Sequence, residues 1–158
     1  MALILDLVRH GDALPAGEAG DNARRLSPRG RADIARLAGR LRIESPEPTH
    51  VFVSPLARAR ETAAILLAGR KSAPTVEVTR ALVPEADPEE FLAELALREI
   101  EAGCVLAVAH EPLLGRLAEY LTDEVTFFLT ATCVRITSDG EPGRRRWHLT
   151  HRIHLPGP

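Results

Sequence analysis

Leu3-Ile4-Leu5-Asp6-Leu7-Val8-Arg9-His10-Gly11 is an apolar run that meets an arginine, a histidine and a glycine. A short run of this kind, closed by glycine, reads as a largely buried strand over residues 3–9 that leads into a loop. Two later segments share the form. His50-Val51-Phe52-Val53 runs into Ser54-Pro55-Leu56-Ala57-Arg58, and Cys104 through Ala109 runs into His110-Glu111-Pro112. Stretches with helical spacing follow these strands. The alternation predicts an α/β fold, a three-layer α/β/α sandwich with a mainly parallel sheet and helices on both faces.

The remaining elements follow from caps and breakers. Residues 11–25 hold glycines, Pro15, Asp21 and Asn22 without periodicity and read as loop. Ser27-Pro28 supplies an N-cap and a first-turn proline for a helix over about 28–42, with Ile34, Leu37, Ala38 and Leu41 on one side. Ser54-Pro55 repeats that cap signal for a helix through about residue 68. Val76-Glu77-Val78 is a third short strand, and a helix over about 88–102 places Phe91, Leu92, Leu95 and Ile100 inward. The helix opened by His110-Glu111-Pro112 ends near Leu121. Thr132–Thr137 and Arg145–Ile153 read as strands joined by Ser-Asp-Gly-Glu-Pro-Gly, a C-terminal antiparallel hairpin at the sheet edge. With 158 residues and no repeat, low-complexity segment or linker, residues 1–158 are expected to form a single domain.

Composition narrows the function classes. A formal charge of −2 and only 4% aromatic residues give no basis for a nucleic-acid partner. The cluster Arg144-Arg145-Arg146-Trp147-His148 reads as a solvated turn and charged edge strand, and Arg24-Arg25 as surface charge. Cys104 and Cys133 lack close Cys or His companions, so they are expected to be reduced core residues rather than metal ligands or a disulfide. The three-residue spacing of His148, His151 and His154 alternates faces in a strand, which argues against a metal site there. An acidic Asp6 and the lack of a basic leader or long apolar stretch predict no membrane association and a cytoplasmic location.

In open α/β sheets ligands gather beyond the carboxyl ends of the strands. Arg9, His10 and Gly11, then Arg58, then His110 all stand at predicted ends of that kind. Taken singly, each has an ordinary structural explanation; jointly they are expected to converge as a phosphate site. A neutral imidazole can attack phosphorus and split one displacement into two easier ones. Two guanidinium groups present forked donors that match phosphate oxygens. His110 can donate a further hydrogen bond or exchange a proton, and Gly11 permits close backbone approach.

These residues resemble the histidine phosphatase (phosphoglycerate mutase-like) superfamily. The resemblance is carried by Arg9-His10-Gly11, Leu26-Ser27-Pro28-Arg29-Gly30, Ser54-Pro55-Leu56-Ala57-Arg58-Ala59 and Ala109-His110-Glu111-Pro112. The short chain and the run Arg9-His10-Gly11-Asp12-Ala13 look most like its SixA-type phosphohistidine phosphatase branch. The resemblance implies His10 as nucleophile, Arg9, Arg58 and His110 completing the phosphate pocket, and no metal or other cofactor. Its substrate class in this branch is phosphohistidine on signalling phosphotransfer proteins.

One departure is chemically informative. Larger relatives carry a general-acid glutamate after the third strand, where Pro84 stands here. Glu85, Asp87 and Asp12 are the candidate proton donors, although Asp87 before Pro88 also has the form of a helix cap. An alkoxide leaving group needs a proton more than an imidazole that already carries one, so the departure favours a phosphoramidate. Short connections leave little material for a lid, which favours an open pocket and a protein substrate. The competing readings are a small-molecule phosphomonoesterase using Glu85 or Asp87 on a phosphorylated metabolite, and a non-catalytic phosphate-binding protein.

Overall fold

The computed structural model describes residues 2–141 and 144–155. Strands β1 (Leu3–Arg9), β2 (His50–Val53), β3 (Val76–Val78), β4 (Gly103–Ala109), β5 (Cys133–Asp139) and β6 (Arg146–Ile153) form one sheet. Their order across the sheet is β3-β2-β4-β1-β5-β6. The first four neighbours are parallel, while β5 and β6 add antiparallel to β1 as a hairpin. Pro142 and Gly143 of its expected turn lie outside the described residues.

Period-2 alternation separates the two cores. Leu5 and Leu7 of β1 and Val105 and Ala107 of β4 face helices α3 (Pro88–Leu97) and α4 (Leu113–Thr122). Val8, Leu106 and Val108 turn the other way, toward α1 (Pro28–Glu44) and α2 (Ala57–Leu67). Ile34, Leu37 and Leu41 of α1 meet Ala59, Ala63 and Leu66 of α2 in that second core. Each fully buried leucine contributes about 1.5–3 kcal/mol by leaving water. The three-layer α/β/α arrangement and the mainly parallel sheet agree with the sequence expectation.

Two local expectations need correction. The helix placed over 88–102 ends at Leu97, because Glu99 adopts a left-handed φ of 53°. Ile100 N–H then reaches back to the Leu95 carbonyl at 3.0 Å, and the chain reversal returns Ile100 to the core outside the helix. Ser54 is not the cap of α2, which starts at Ala57 with Leu56 before it. The Ser54 hydroxyl is engaged elsewhere, as described below. By contrast Ser27 caps α1 as expected, its Oγ accepting from Gly30 N–H at 3.0 Å.

The loop after β1 is locked onto α1 by two glycines. A Cβ on Gly30 would overlap the Asp12 carbonyl, and one on Gly11 would stand 2.9 Å from Gly30 O and Ile34 Cγ1. The side on which Gly11 lacks a side chain is therefore filled by α1. Among the described residues no helix is long and apolar enough to cross a membrane.

Candidate active site

β1, β2 and β4 are parallel neighbours, so their carboxyl ends share one edge of the sheet. Backbone bonds continue past the strands: His10 N–H donates to the Ala109 carbonyl at 3.2 Å, and Ser54 N–H to Val108 at 3.1 Å. Three segments distant in sequence are thereby stitched together. The structure brings His10, Arg58 and His110 into one buried cluster, at 7%, 5% and 1% exposure, with Arg9 and Gly11 beside it.

His10 is held through both ring nitrogens. Nδ1 lies 2.7 Å from the Gly11 carbonyl, an acceptor only, so Nδ1 carries the proton. Nε2 is then a lone pair, and Arg58 Nε donates to it at 3.3 Å. Burial foremost, and next the nearby Arg58, Arg9 and Arg24 cations, bring the His10 pKa down to about 4 against the pull of the Gly11 bond. The imidazole is neutral near pH 7. Gly11 N–H donates to Thr62 Oγ1 at 3.2 Å, anchoring the residue whose carbonyl orients the ring.

His110 faces His10 with ring centroids 4.9 Å apart. Its Nε2 pairs with Ser54 Oγ at 2.7 Å, while its buried Nδ1 has no partner among the described residues. Burial, then His10 and Arg58, lower its pKa to about 3. Arg9 reaches away from the strand, Nη1 donating to the Phe128 carbonyl at 2.7 Å, and its Nε is likewise buried without a partner. Burial lowers the Arg9 pKa, and Glu111 opposes that shift more than Arg58 adds to it.

Arg58 is gripped from the loop after β1. Its Nη1 donates to the Asp21 carbonyl at 2.9 Å and its Nη2 to the Asp21 carboxylate at 3.2 Å. Asp21 opens a 3-10 turn over Asp21–Ala23 and also accepts from Arg24 Nη1 at 3.2 Å. The Arg24 bond foremost, then the charge and single carboxylate bond of Arg58, hold the Asp21 carboxyl below the usual range. Arg24 is therefore more than surface charge: it also donates to the Leu14 carbonyl and bears on His10. Arg25 pairs with Glu61.

The three expected proton donors are engaged or placed elsewhere than in hydrogen bonds to this cluster. Asp12 accepts from Ser27 Oγ at 2.6 Å at the start of α1. Asp87 is the N-cap residue of α3, its N–H bonded to Glu90 Oε1 and its carboxylate to Arg116 at 2.8 Å. Glu85 lines a cavity of about 140 Å³ with Asp21, Asn22 and Arg80. None of the three has a hydrogen bond to His10, Arg58 or His110 among the described residues.

Sequence reading passed over four participants. Asp21 lay in an aperiodic loop, and Ser54 was absorbed by the cap signal. The Phe128 contact uses a backbone carbonyl, which leaves no trace in residue type. Glu111 stands inside the His110-Glu111-Pro112 motif without an expected role; its Oε1 is buried without a partner among the described residues, its charge acts on Arg9, and burial raises its pKa. Among the described residues no group of three or more His, Cys, Asp and Glu could hold a metal ion.

Residues 5–86, more than half of the chain, match the model of the histidine phosphatase superfamily (branch 1). The structure of the protein histidine phosphatase SixA complexed with tungstate superposes with a TM-score of 0.83 at 29% identity, over 97% of this chain and 96% of that one. A mycobacterial glucosyl-3-phosphoglycerate phosphatase shares the fold at TM-score 0.73 and 18% identity, over 94% of this chain and 97% of that one. The uncharacterized protein ML1117 of Mycobacterium leprae (strain TN) is 36% identical over 106 residues, 67% of this chain but only 63% of the relative's length. The family match and the shared fold together place the chain in the histidine phosphatase superfamily, branch 1, in its SixA-type form.

Proposed function

We propose that this chain, as a single domain, is a metal-independent phosphatase that forms a phosphohistidine on His10 and takes its phosphoryl group from phosphohistidine on a signalling phosphotransfer protein. The observation that carries this reading is the state of His10. Its Nδ1–H is committed to the Gly11 carbonyl, and its neutral Nε2 lone pair is directed at Arg58 inside a cationic pocket.

Nε2 attacks phosphorus; the P–Nε2 bond forms as the bond to the substrate nitrogen breaks, and that nitrogen keeps the electron pair. A phosphoimidazole protonated on its free nitrogen leaves as neutral imidazole, so the step needs no strong protein acid. Water then attacks phosphorus, the P–Nε2 bond breaks with its electrons returning to His10, and inorganic phosphate leaves with the water's proton. Phosphoryl transfer depends mainly on positioning and charge stabilisation. Arg9 and Arg58 supply the charge that a metal ion supplies elsewhere. Arg9 Nε is a buried donor that a phosphoryl oxygen would satisfy, His110 Nδ1 is a second in the tautomer whose Nε2 accepts from Ser54 Oγ, and His110 can exchange a proton with the attacking water.

Asp12 and Asp87 are committed to α1 and α3, which supports a leaving group needing little acid assistance. A cytoplasmic location accords with the buried free thiols of Cys104 and Cys133. One observation favours a small phosphorylated metabolite instead: Glu85 and Arg80 flank the cavity that Asp21 shares. In that reading Glu85 would protonate an alkoxide.

The test is a panel of a histidine-phosphorylated phosphotransfer protein, free phosphohistidine, sugar phosphates, nucleotides and an aryl phosphate, each with and without chelator. The expected result is a kcat/KM at least 100-fold higher for the phosphohistidine substrates, unchanged by chelator. Equal turnover of sugar phosphates, or loss of activity with chelator, would overturn the proposal.

A further inference from the structure

Between α4 and β5 the chain crosses the rim of the site in the segment Glu124-Val125-Thr126-Phe127-Phe128-Leu129-Thr130. Its side chains alternate. Thr126 and Phe128 are 3% and 2% exposed, whereas Val125, Phe127 and Leu129 are 63%, 82% and 58% exposed. An exposed aliphatic residue alone is unremarkable in a folded protein, but three large ones side by side on one short segment form a patch.

The segment is firmly held. Phe128 is buried in the core with residues of α4, and its carbonyl accepts from Arg9 at 2.7 Å. Three residues on, Ala131 has a left-handed φ of 56°, and its N–H donates to the carbonyls of Arg9 and His10 at 3.2 and 3.1 Å. A left-handed alanine costs about 1–2 kcal/mol, so surrounding bonds must hold it there. Phe127 and Leu129 are therefore displayed outward by the same backbone that positions Arg9. They are rim residues, with no part in the phosphate contacts.

We propose that Val125, Phe127 and Leu129 form the docking surface for the protein that presents the phosphoryl group, through apolar side chains flanking its phosphohistidine. This inference rests on the phosphohistidine reading above. Three side chains supply an apolar patch of a few hundred Å² at most. A stable protein pair buries about 800 Å² on each partner. The patch is thus too small for a lasting complex with a second copy, and suits a partner that must leave after each turnover. Charge complementarity gives the partner's orientation: its phosphoryl group enters between Arg9 and Arg58, and its adjoining surface then falls on the residues flanking Phe128.

The experiment compares one leaving group in two settings. Wild-type enzyme and the double variant Phe127→Ser/Leu129→Ser are assayed on free phosphohistidine and on a phosphotransfer protein charged with phosphoramidate. The variant's fold is checked by circular dichroism and thermal unfolding. Wild type should prefer the protein, and the variant should raise KM for the protein at least tenfold while leaving free phosphohistidine turnover within twofold. A single Phe127→Leu variant should recover most of the protein KM. Loss on both substrates alike, or on neither, would overturn the docking surface while leaving the phosphohistidine reading intact. Concentration-dependent dimerisation of wild type that the double variant abolishes would give the face to a second copy and also overturn it. If wild type hydrolyses aryl phosphate but neither phosphohistidine form, both the reading and the docking surface fall.

Discussion

β1 carries two charged clusters within five residues, and they are built to opposite specifications. At its centre Asp6 is 2% exposed and receives a bidentate grip from Arg135, at 2.7 and 2.9 Å. Arg135 spends further donors on the Glu44 carbonyl and the Ser45 hydroxyl. At its carboxyl end Arg9 and His10 meet Arg58 and His110, and although Arg58 is paired with Asp21, Arg9 Nε and His110 Nδ1 are buried without partners among the described residues. The first cluster is satisfied and ties β5 and the end of α1 to β1. The second is under-satisfied in donors, and so can receive an anion. Saturation of hydrogen bonding, rather than charge or burial, separates the structural cluster from the working one.

The comparison breaks most visibly if the nucleophile is removed. His10→Ala should lower kcat by about 10⁴-fold or more, since the covalent route disappears, with little change in Tm; stopped assays and thermal unfolding check both. Arg135→Met should do the reverse. It strands the buried Asp6 carboxylate and should cost about 3–5 kcal/mol of stability, measured by denaturant titration, while kcat per folded molecule stays within about twofold. If Arg135→Met abolishes chemistry without destabilising the fold, the two clusters are not distinct.

Smaller effects sharpen the boundary. Asp21→Ala should raise KM about tenfold, close to 1.4 kcal/mol, because Arg58 loses its charged anchor while His10 is untouched; Asp21→Glu should recover part of the loss. The pH profile reads the nucleophile directly. His10 loses its lone pair only below its depressed pKa of about 4, so kcat/KM should hold through the ordinary histidine range and fall as pH drops through about 4. A fall centred near 6.5 would mean an ordinary, solvated imidazole. Ser54→Ala should produce the smallest change, a few-fold in kcat, through the lost 2.7 Å bond to His110.

Much of this was legible in the sequence where a single strand or helix decides the outcome. β1 over 3–9, β2 over 50–53, the cap at Ser27 and the edge hairpin follow from local pattern, as does the convergence of Arg9, His10, Arg58 and His110 at strand ends. What escaped was decided by contacts across the sheet. Ser54 has the sequence of a cap but the position of a partner for His110. Asp21 gains its role only because a 3-10 turn folds back over Arg58. Glu99 ends α3 through a backbone conformation that no residue type announced. The proton donors suggested by the resemblance illustrate the same limit, since Asp87 lies in that segment and serves α3 and Arg116.

The central claim is that phosphate passes through Nε2 of His10. Rapid quench of the enzyme with ³²P-labelled substrate tests it most directly. The account predicts a burst of label that is stable in alkali, lost in acid, and absent from His10→Ala. Label that persists in His10→Ala, or turnover of the wild type with no trapped phosphoenzyme under burst conditions, would contradict it.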